Sequence, residues 1–347
     1  MKRTLLLLCL FLAATAPSLA QKAPKLAAYL MVYHKDQDHG LHMAVSHDSY
    51  TWTALNNDLP VIGGDSIAQQ HGIRDPHIFR SPDGTFYLAM TDLHVFGQRD
   101  GKRQTEWERD GKRYGWGNNR GLVLMKSHDL IHWSRANIDF SLLPDQPDMK
   151  WSEVGCVWAP ETVYDDETRQ LMIHFTVREG VGKNVIYYAY VNSDFNALTS
   201  TPRLLAEAPG RAFSIIDSDI IKAGDTYHLF YVSHEHGATP KHATSQHITG
   251  PYTFDEYYQD GERQGHEAPN CWLRLNSDTY VVMFDNYRRS PMNFGFAETR
   301  DFFTYRPIGY FDDPNGKMKR TNFSEQKHGA VIHITQKELH RLQKHWR

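Results

Sequence analysis

Apolar and polar positions alternate in short runs along this chain, and the runs come in pairs. From Gly72 to Leu93 an Asp75-Pro76 step opens the run His77-Ile78-Phe79, the turn pair Asp83-Gly84 reverses it, and Phe86 to Met90 returns alongside. That is the signature of a β-hairpin. The outline recurs as Glu161 to Tyr164 with Leu171 to Val177, as Asp217 to Ile221 with Tyr227 to Val232, and as Glu267-Ala268-Pro269 with Tyr280 to Phe284. Each time an acidic residue stands at the mouth of the hairpin.

A second pattern marks where these units end. Ser46-His47-Asp48 leads to Trp52, Ser127-His128-Asp129 to Trp133, and Thr299-Arg300-Asp301 to Tyr305, with weaker echoes at Ser193-Asp194-Phe195 and Gly250-Pro251-Tyr252. Repeats spaced roughly 50 to 85 residues apart predict blades of a β-propeller rather than a sandwich. The first ending, at Trp52, has no acidic hairpin before it, whereas His328 to Ile334 is a strand with no ending after it. Pairing this C-terminal strand with the N-terminal runs Ala28–Tyr33 and Leu41–Ser46 completes five blades and leaves no open edge. The fold class expected is therefore all-β, a five-bladed propeller over residues 21–347 as a single domain.

Two segments depart from the repeat. Gln336 to His345 carries Leu339 and Leu342 at helical spacing and predicts a short closing helix. Residues 97–121 are polar and carry Trp107, Tyr114 and Trp116, which predicts a long loop whose aromatic faces overhang a ligand.

Residues 1–20 read as an export signal: Lys2 and Arg3 precede the apolar run Leu5 to Ala14, and Ser18-Leu19-Ala20 offers a cleavage site. The mature chain is expected in a periplasm or outside the cell. No later run is long enough for a membrane span. A net charge of −3 over 347 residues, with no basic block, gives nucleic acid or an anionic membrane surface little to hold. Cys156 and Cys271 survive processing and are either bridged or separately buried as thiols.

Inner strands of a propeller line its axis, so the four acidic mouths are expected to converge. Converging carboxylates suit glycosidic bond hydrolysis, in which one ionised acid activates water and another, kept protonated, donates to the leaving oxygen. His234-Glu235-His236 lacks the spacing of a zinc protease site, and no phosphate loop or Gly-x-Ser-x-Gly elbow is present.

In the order and spacing of these motifs the chain resembles glycoside hydrolase family 43, inverting enzymes on a five-bladed propeller. Asp75-Pro76 matches the motif of the general base, Ile216-Asp217-Ser218 that of the pKa-modulating aspartate, and Glu267-Ala268-Pro269 that of the general acid. Serine in place of proline after Asp217 leaves Asp219 as the alternative modulator. Trp158-Ala159-Pro160-Glu161 matches a further family motif, and Trp158, Glu161, Trp116 and Arg288 are expected to bind substrate. The resemblance also implies a calcium or water site in the channel near His328, with no cofactor needed for the chemistry. The activity it implies is exo-acting removal of terminal α-L-arabinofuranosyl units from plant polysaccharide. A β-D-xylosidase or galactosidase is the alternative within the family, and a non-catalytic sugar-binding propeller the alternative of another kind.

Overall fold

The computed structural model describes residues 24–97, 99, 101, 107, 109–255 and 265–347. The export signal expected at 1–20 lies outside the described residues, as does part of the loop expected at 97–121. Five antiparallel sheets account for nearly all regular structure. The first blade runs Ile73–Arg80, Phe86–Asp92, Gly121–Ser127 and Ser134–Asp139, and the second Val154–Asp165, Gln170–Glu179, Val185–Val191 and Arg203–Ala206. The third runs Ile215–Ala223, Thr226–Ser233, Thr239–Ser245 and Thr253–Phe254, and the fourth His266–Leu273, Tyr280–Asn286, Asn293–Thr299 and Arg306–Tyr310.

The fifth blade closes the ring in the way the unpaired C-terminal strand predicts. Its inner strand, Lys327–Thr335, lies antiparallel to Leu26–His34, pairing Met31 with Val331 and Leu30 with Ile332. Leu41–Ser46 and Thr51–Ala54 continue outward, and Lys319–Arg320 adds a short parallel edge. A hydrophobic cluster fills the gap between each neighbouring pair of blades. Every sheet thus buries both faces, which explains why its strands read as apolar on alternating and adjacent positions alike.

The Ser-x-Asp endings are turns between third and fourth strands. Ser46 Oγ accepts from the Ser49 N–H at 2.9 Å, and Asp48 Oδ1 accepts from the Tyr50 and Thr51 N–H groups at 2.8 and 2.7 Å. Ser127 with Asp129, and Thr299 with Asp301, repeat the arrangement. Side-chain oxygens here satisfy backbone donors that no ladder can reach. Trp52 then turns inward and meets Trp272 of the fourth blade edge-on at 6.4 Å.

The closing helix, Gln336–His345, starts on a capping box in which Thr335 and Glu338 exchange hydrogen bonds. Leu339 and Leu342 are buried against the closing and first blades, and Glu338 also takes Arg80 of the first blade at 2.7 Å. Cys156 and Cys271 are both free and buried, in the second and fourth blades, so the bridged alternative does not occur. Among the described residues no helix is long and apolar enough to cross a membrane.

Candidate active site

Each inner strand breaks register with its neighbour at one equivalent place. The ladder skips from Arg74 to His77, from Trp158 to Glu161, from Ile216 to Asp219, from Glu267 to Asn270, and in the closing blade from Lys327 to Ala330. The first residue of each gap has a left-handed backbone: Asp75 (φ 49°), Ala159 (45°), Asp217 (51°), Ala268 (54°) and His328 (42°). Bulges re-aim side chains, and five in a ring aim theirs at the axis. The residue just before the bulge, Arg74, Trp158, Ile216, Glu267 or Lys327, lines one cavity of about 320 Å³ in all five blades. Asp75, Asp217 and His328 line it as well.

This register corrects the expectation that four acids stand at equivalent mouths. Asp75 and Asp217 do occupy the bulge, but Glu267 sits one residue before it and Glu161 two after. Asp217, not Asp219, therefore faces the cavity. Glu161 is turned into a deeper, buried layer with Asp219 and does not line the cavity.

The bulge N–H groups have lost their ladder partners and are received by side chains of the preceding blade. Asp75 N–H donates to His34 Nδ1 at 3.2 Å, Ala159 N–H to Thr91 Oγ1 at 2.9 Å, and Asp217 N–H to Thr176 Oγ1 at 3.0 Å. Ala268 N–H donates to Asp217 Oδ2 at 3.2 Å, and His328 N–H is received by Asp285. The cavity's acids are thereby fastened to the frame. Thr91 Oγ1, while accepting from Ala159, donates to Asp75 Oδ2 at 2.7 Å.

Two of the acids are driven apart electrically. Burial alone would raise the pKa of Asp75, but His328, whose Nδ1 lies 3.3 Å from Asp75 Oδ1, and then Arg74 outweigh it and hold the carboxyl well below the usual range. His328 responds in the opposite sense: its burial is overcome by Asp75, and its pKa rises. Glu267 is pushed up, first by burial and then by the Asp217 and Asp285 carboxylates, with Lys327 and His328 opposing. Asp217 also rises, through burial and its neighbours Asp75 and Asp285. Asp75 is thus the ionised member of the group and Glu267 a protonated one, the division that acid–base chemistry on one bond requires.

The wall comes from the second blade and the long loop. Trp158 Nε1 donates to the Gly117 carbonyl at 2.9 Å, and Arg178 lies over the Trp158 ring at 4.6 Å while donating to the carbonyls of Tyr114 and Trp116. Gly117 has φ 63°, and a Cβ there would stand 3.0 Å from Trp158, so glycine is needed where the loop crosses the indole. Trp116 projects at the rim, 70% exposed, with its ring 6.1 Å from that of Trp158. Trp107 and Tyr114 do not line the cavity. Neither does Arg288, an exposed residue whose side chain lies over Gly265.

Sequence reasoning missed His34, Arg74, Asp285 and Lys327. The first and third lie on second strands, where only the register brings them to the axis. His234, set aside in the sequence for lacking zinc-site spacing, lines the cavity as well.

Neither candidate channel site fits a metal. His328 and Asp75, 3.3 Å apart, have no third ligand-type side chain close by among the described residues. In the deeper layer His77, Glu161 and Asp219 are the one group of three ligand-type side chains close together among the described residues. His77 Nδ1 accepts the Thr162 N–H at 3.1 Å, and burial keeps the ring neutral with its pKa lowered to about 3, so Nε2 carries the proton and faces Glu161 as a donor. Calcium, which takes six to eight oxygen ligands, is poorly served by either.

Residues 24–340 match the family described as "Probable glycosyl hydrolase domain", related to glycosyl hydrolase family 43. An α-L-arabinofuranosidase of Bifidobacterium longum subsp. longum is 24% identical over 292 residues, covering 70% of this chain. The chain spans 25% of that relative's length. Among solved structures, an endo-1,4-β-xylanase from Bacteroides thetaiotaomicron superposes with a TM-score of 0.55 at 12% identity, covering 83% of this chain and 94% of that one. An α-L-arabinofuranosidase from Clostridium thermocellum gives 0.51 at 13% identity, covering 78% and 83%. These two likenesses are of fold. With the family match running almost the length of the propeller, the chain belongs to glycoside hydrolase family 43.

Proposed function

We propose that this family 43 enzyme is an exported, exo-acting glycosidase that removes terminal α-L-arabinofuranosyl units with inversion. The observation that carries the mechanism is that Asp75 and Glu267 line one cavity, where their surroundings shift the two pKa values in opposite directions. Asp75, ionised by His328, takes a proton from a water as that water attacks the anomeric carbon. Glu267, protonated through burial and its acidic neighbours, gives its proton to the departing glycosidic oxygen. Asp217, tied to the Ala268 N–H next to Glu267, holds the acid in place and raises its pKa. In an inverting reaction the base and acid carboxyls stand roughly 6.5 to 9.5 Å apart, leaving space for the water.

The sugar and the mode of attack have separate supports. A cavity of about 320 Å³, at the low end for small-molecule sites, with Trp116 at one rim, suits the capped end of a chain rather than its middle. The arabinofuranosyl reading leans on the named activity of the Bifidobacterium relative, and export on the N-terminal signal pattern.

A panel of nitrophenyl glycosides, followed by NMR of the first-formed anomer, tests this reading. Wild type is expected to release nitrophenol from the α-L-arabinofuranoside and to yield the inverted sugar. Asp75→Asn is expected to lose about 10²- to 10⁴-fold on every substrate. Glu267→Gln is expected to lose that much on an arabino-oligosaccharide but much less on a dinitrophenyl glycoside, whose leaving group needs no proton. Faster turnover of the β-D-xyloside or a galactoside would reassign the sugar. Variants equal to wild type, or binding of sugars without turnover, would make the propeller a lectin-like module instead.

A further inference from the structure

The acceptors of the five bulge N–H groups follow a rule of position with one departure. The position is that of the second-strand residue paired with the one before the bulge: Thr91, Thr176, Val232, Asp285 and His34. Valine cannot accept, and in its place Asp217 takes the Ala268 N–H. Asp285 can accept, but a hydroxyl does the same work in the first and second blades. A buried carboxylate is a far more costly acceptor than a threonine, so holding the bulge does not explain it.

Its carboxylate is also short of partners. Asp285 is 2% exposed, Oδ1 has no hydrogen-bond partner, and the residue lines the cavity directly across the ladder from Glu267. A buried carboxylate short of partners, at the wall of a binding cavity, is completed by what enters. The charged groups facing it are the acids Glu267 and Asp217 and, on the closing strand, Lys327 and His328, with Asp36 beyond at 3.6 Å from Lys327. An acceptor beside an ammonium donor matches a sugar hydroxyl, which both gives and receives a hydrogen bond.

We propose that Asp285 is a glycone-binding residue whose carboxylate accepts a hydrogen bond from a hydroxyl of the sugar seated between Asp75 and Glu267. The inference rests on the glycosidase reading above and adds the group that selects the sugar. Sites built to bond a hydroxyl discriminate strongly against an analogue that lacks it.

Asp285→Thr installs the residue of the first and second blades and keeps an acceptor for the His328 N–H, so the bulge is preserved. The experiment compares kcat/KM of wild type and variant on the nitrophenyl glycoside that wild type hydrolyses best and on its monodeoxy analogues. The variant is expected to lose about 10- to 100-fold on the parent sugar. For one deoxy position the two enzymes should differ by less than about 3-fold, while the other positions keep the full ratio. Should Asp285→Thr fail to fold, Asp285→Asn gives the same pattern with a smaller loss. An equal loss on every analogue, or none on the parent, overturns the inference and leaves the glycosidase reading intact. A wild type that hydrolyses no glycoside removes both.

Discussion

His328 sets the charge of Asp75 from the far end of the chain. The ring reaches Oδ1 with Nδ1 while Thr91 holds Oδ2, so the aspartate has one neutral and one cationic partner. Because the folded-state pKa of Asp75 is depressed, the carboxylate stays ionised at pH values where an ordinary aspartate is half protonated. His328→Ala removes the cation and leaves the burial, so the pKa must rise. The acid limb of the kcat/KM profile is expected to move up by about one to three pH units. An unmoved limb would separate Asp75 from the reaction. At this scale much was legible in advance. Asp75, Asp217, Glu267 and Trp158 could be named from motifs of three or four residues, and His328 could be placed in the channel. Asp285 and His34 could not, because a polar residue ending an apolar run gives no sign of which way the pleat turns it. Glu161 misled for the converse reason: an acid close to a Pro was counted from the hairpin's mouth, whereas the bulge decides which layer it enters.

Below the bulges the inner strands carry a second ring of polar side chains that reaches from blade to blade. Asp219 accepts from the Cys271 N–H at 2.6 Å, and Asn270 Oδ1 from the Val331 N–H at 3.0 Å. Glu161 belongs to this ring, and burial together with the Asp219 carboxylate pushes its pKa well up. A carboxyl raised on folding binds a proton that the unfolded chain has released. Its contribution to stability is full below the unfolded pKa of about 4.3 and is lost as pH rises through the folded value. Glu161→Gln keeps a donor toward Asp219 and has no proton to lose. The variant is expected to be more stable than wild type at pH 8 by at least about 1 kcal/mol, with a flatter dependence of melting temperature between pH 5 and 8. Identical pH dependence in the two proteins would mean that folding does not raise the pKa of Glu161. The hairpins themselves were readable because alternation and turn residues are local. The inter-blade hydrogen bonds were not, since they join residues far apart in sequence through a bulge that leaves no compositional trace.

The whole molecule depends on one seam, where Lys327–Thr335 meets Leu26–His34. Removing residues 327–347 would uncover the inner edge of the N-terminal strand and open the clusters on both sides of the closing blade. Such a chain is expected to show no cooperative melting transition and to associate through its exposed edge, measured by thermal circular dichroism and size exclusion. A truncated monomer that melts like wild type would show that the ring does not need its clasp. The closure was foreseeable from an inner strand without an ending and an ending without an inner strand, a count that topology must balance. What no count could supply is that the same strand brings Lys327 and His328 to the cavity.

That shared duty has a temporal side. Synthesis proceeds from the N-terminus, so four sheets can be assembled while Asp75 still lacks its counter-ion. A nascent chain stalled short of Lys327 would carry all three acids yet leave the first of them untuned. The seam thus works as a completion check, coupling the chemistry of the pocket to the arrival of its final β-strand.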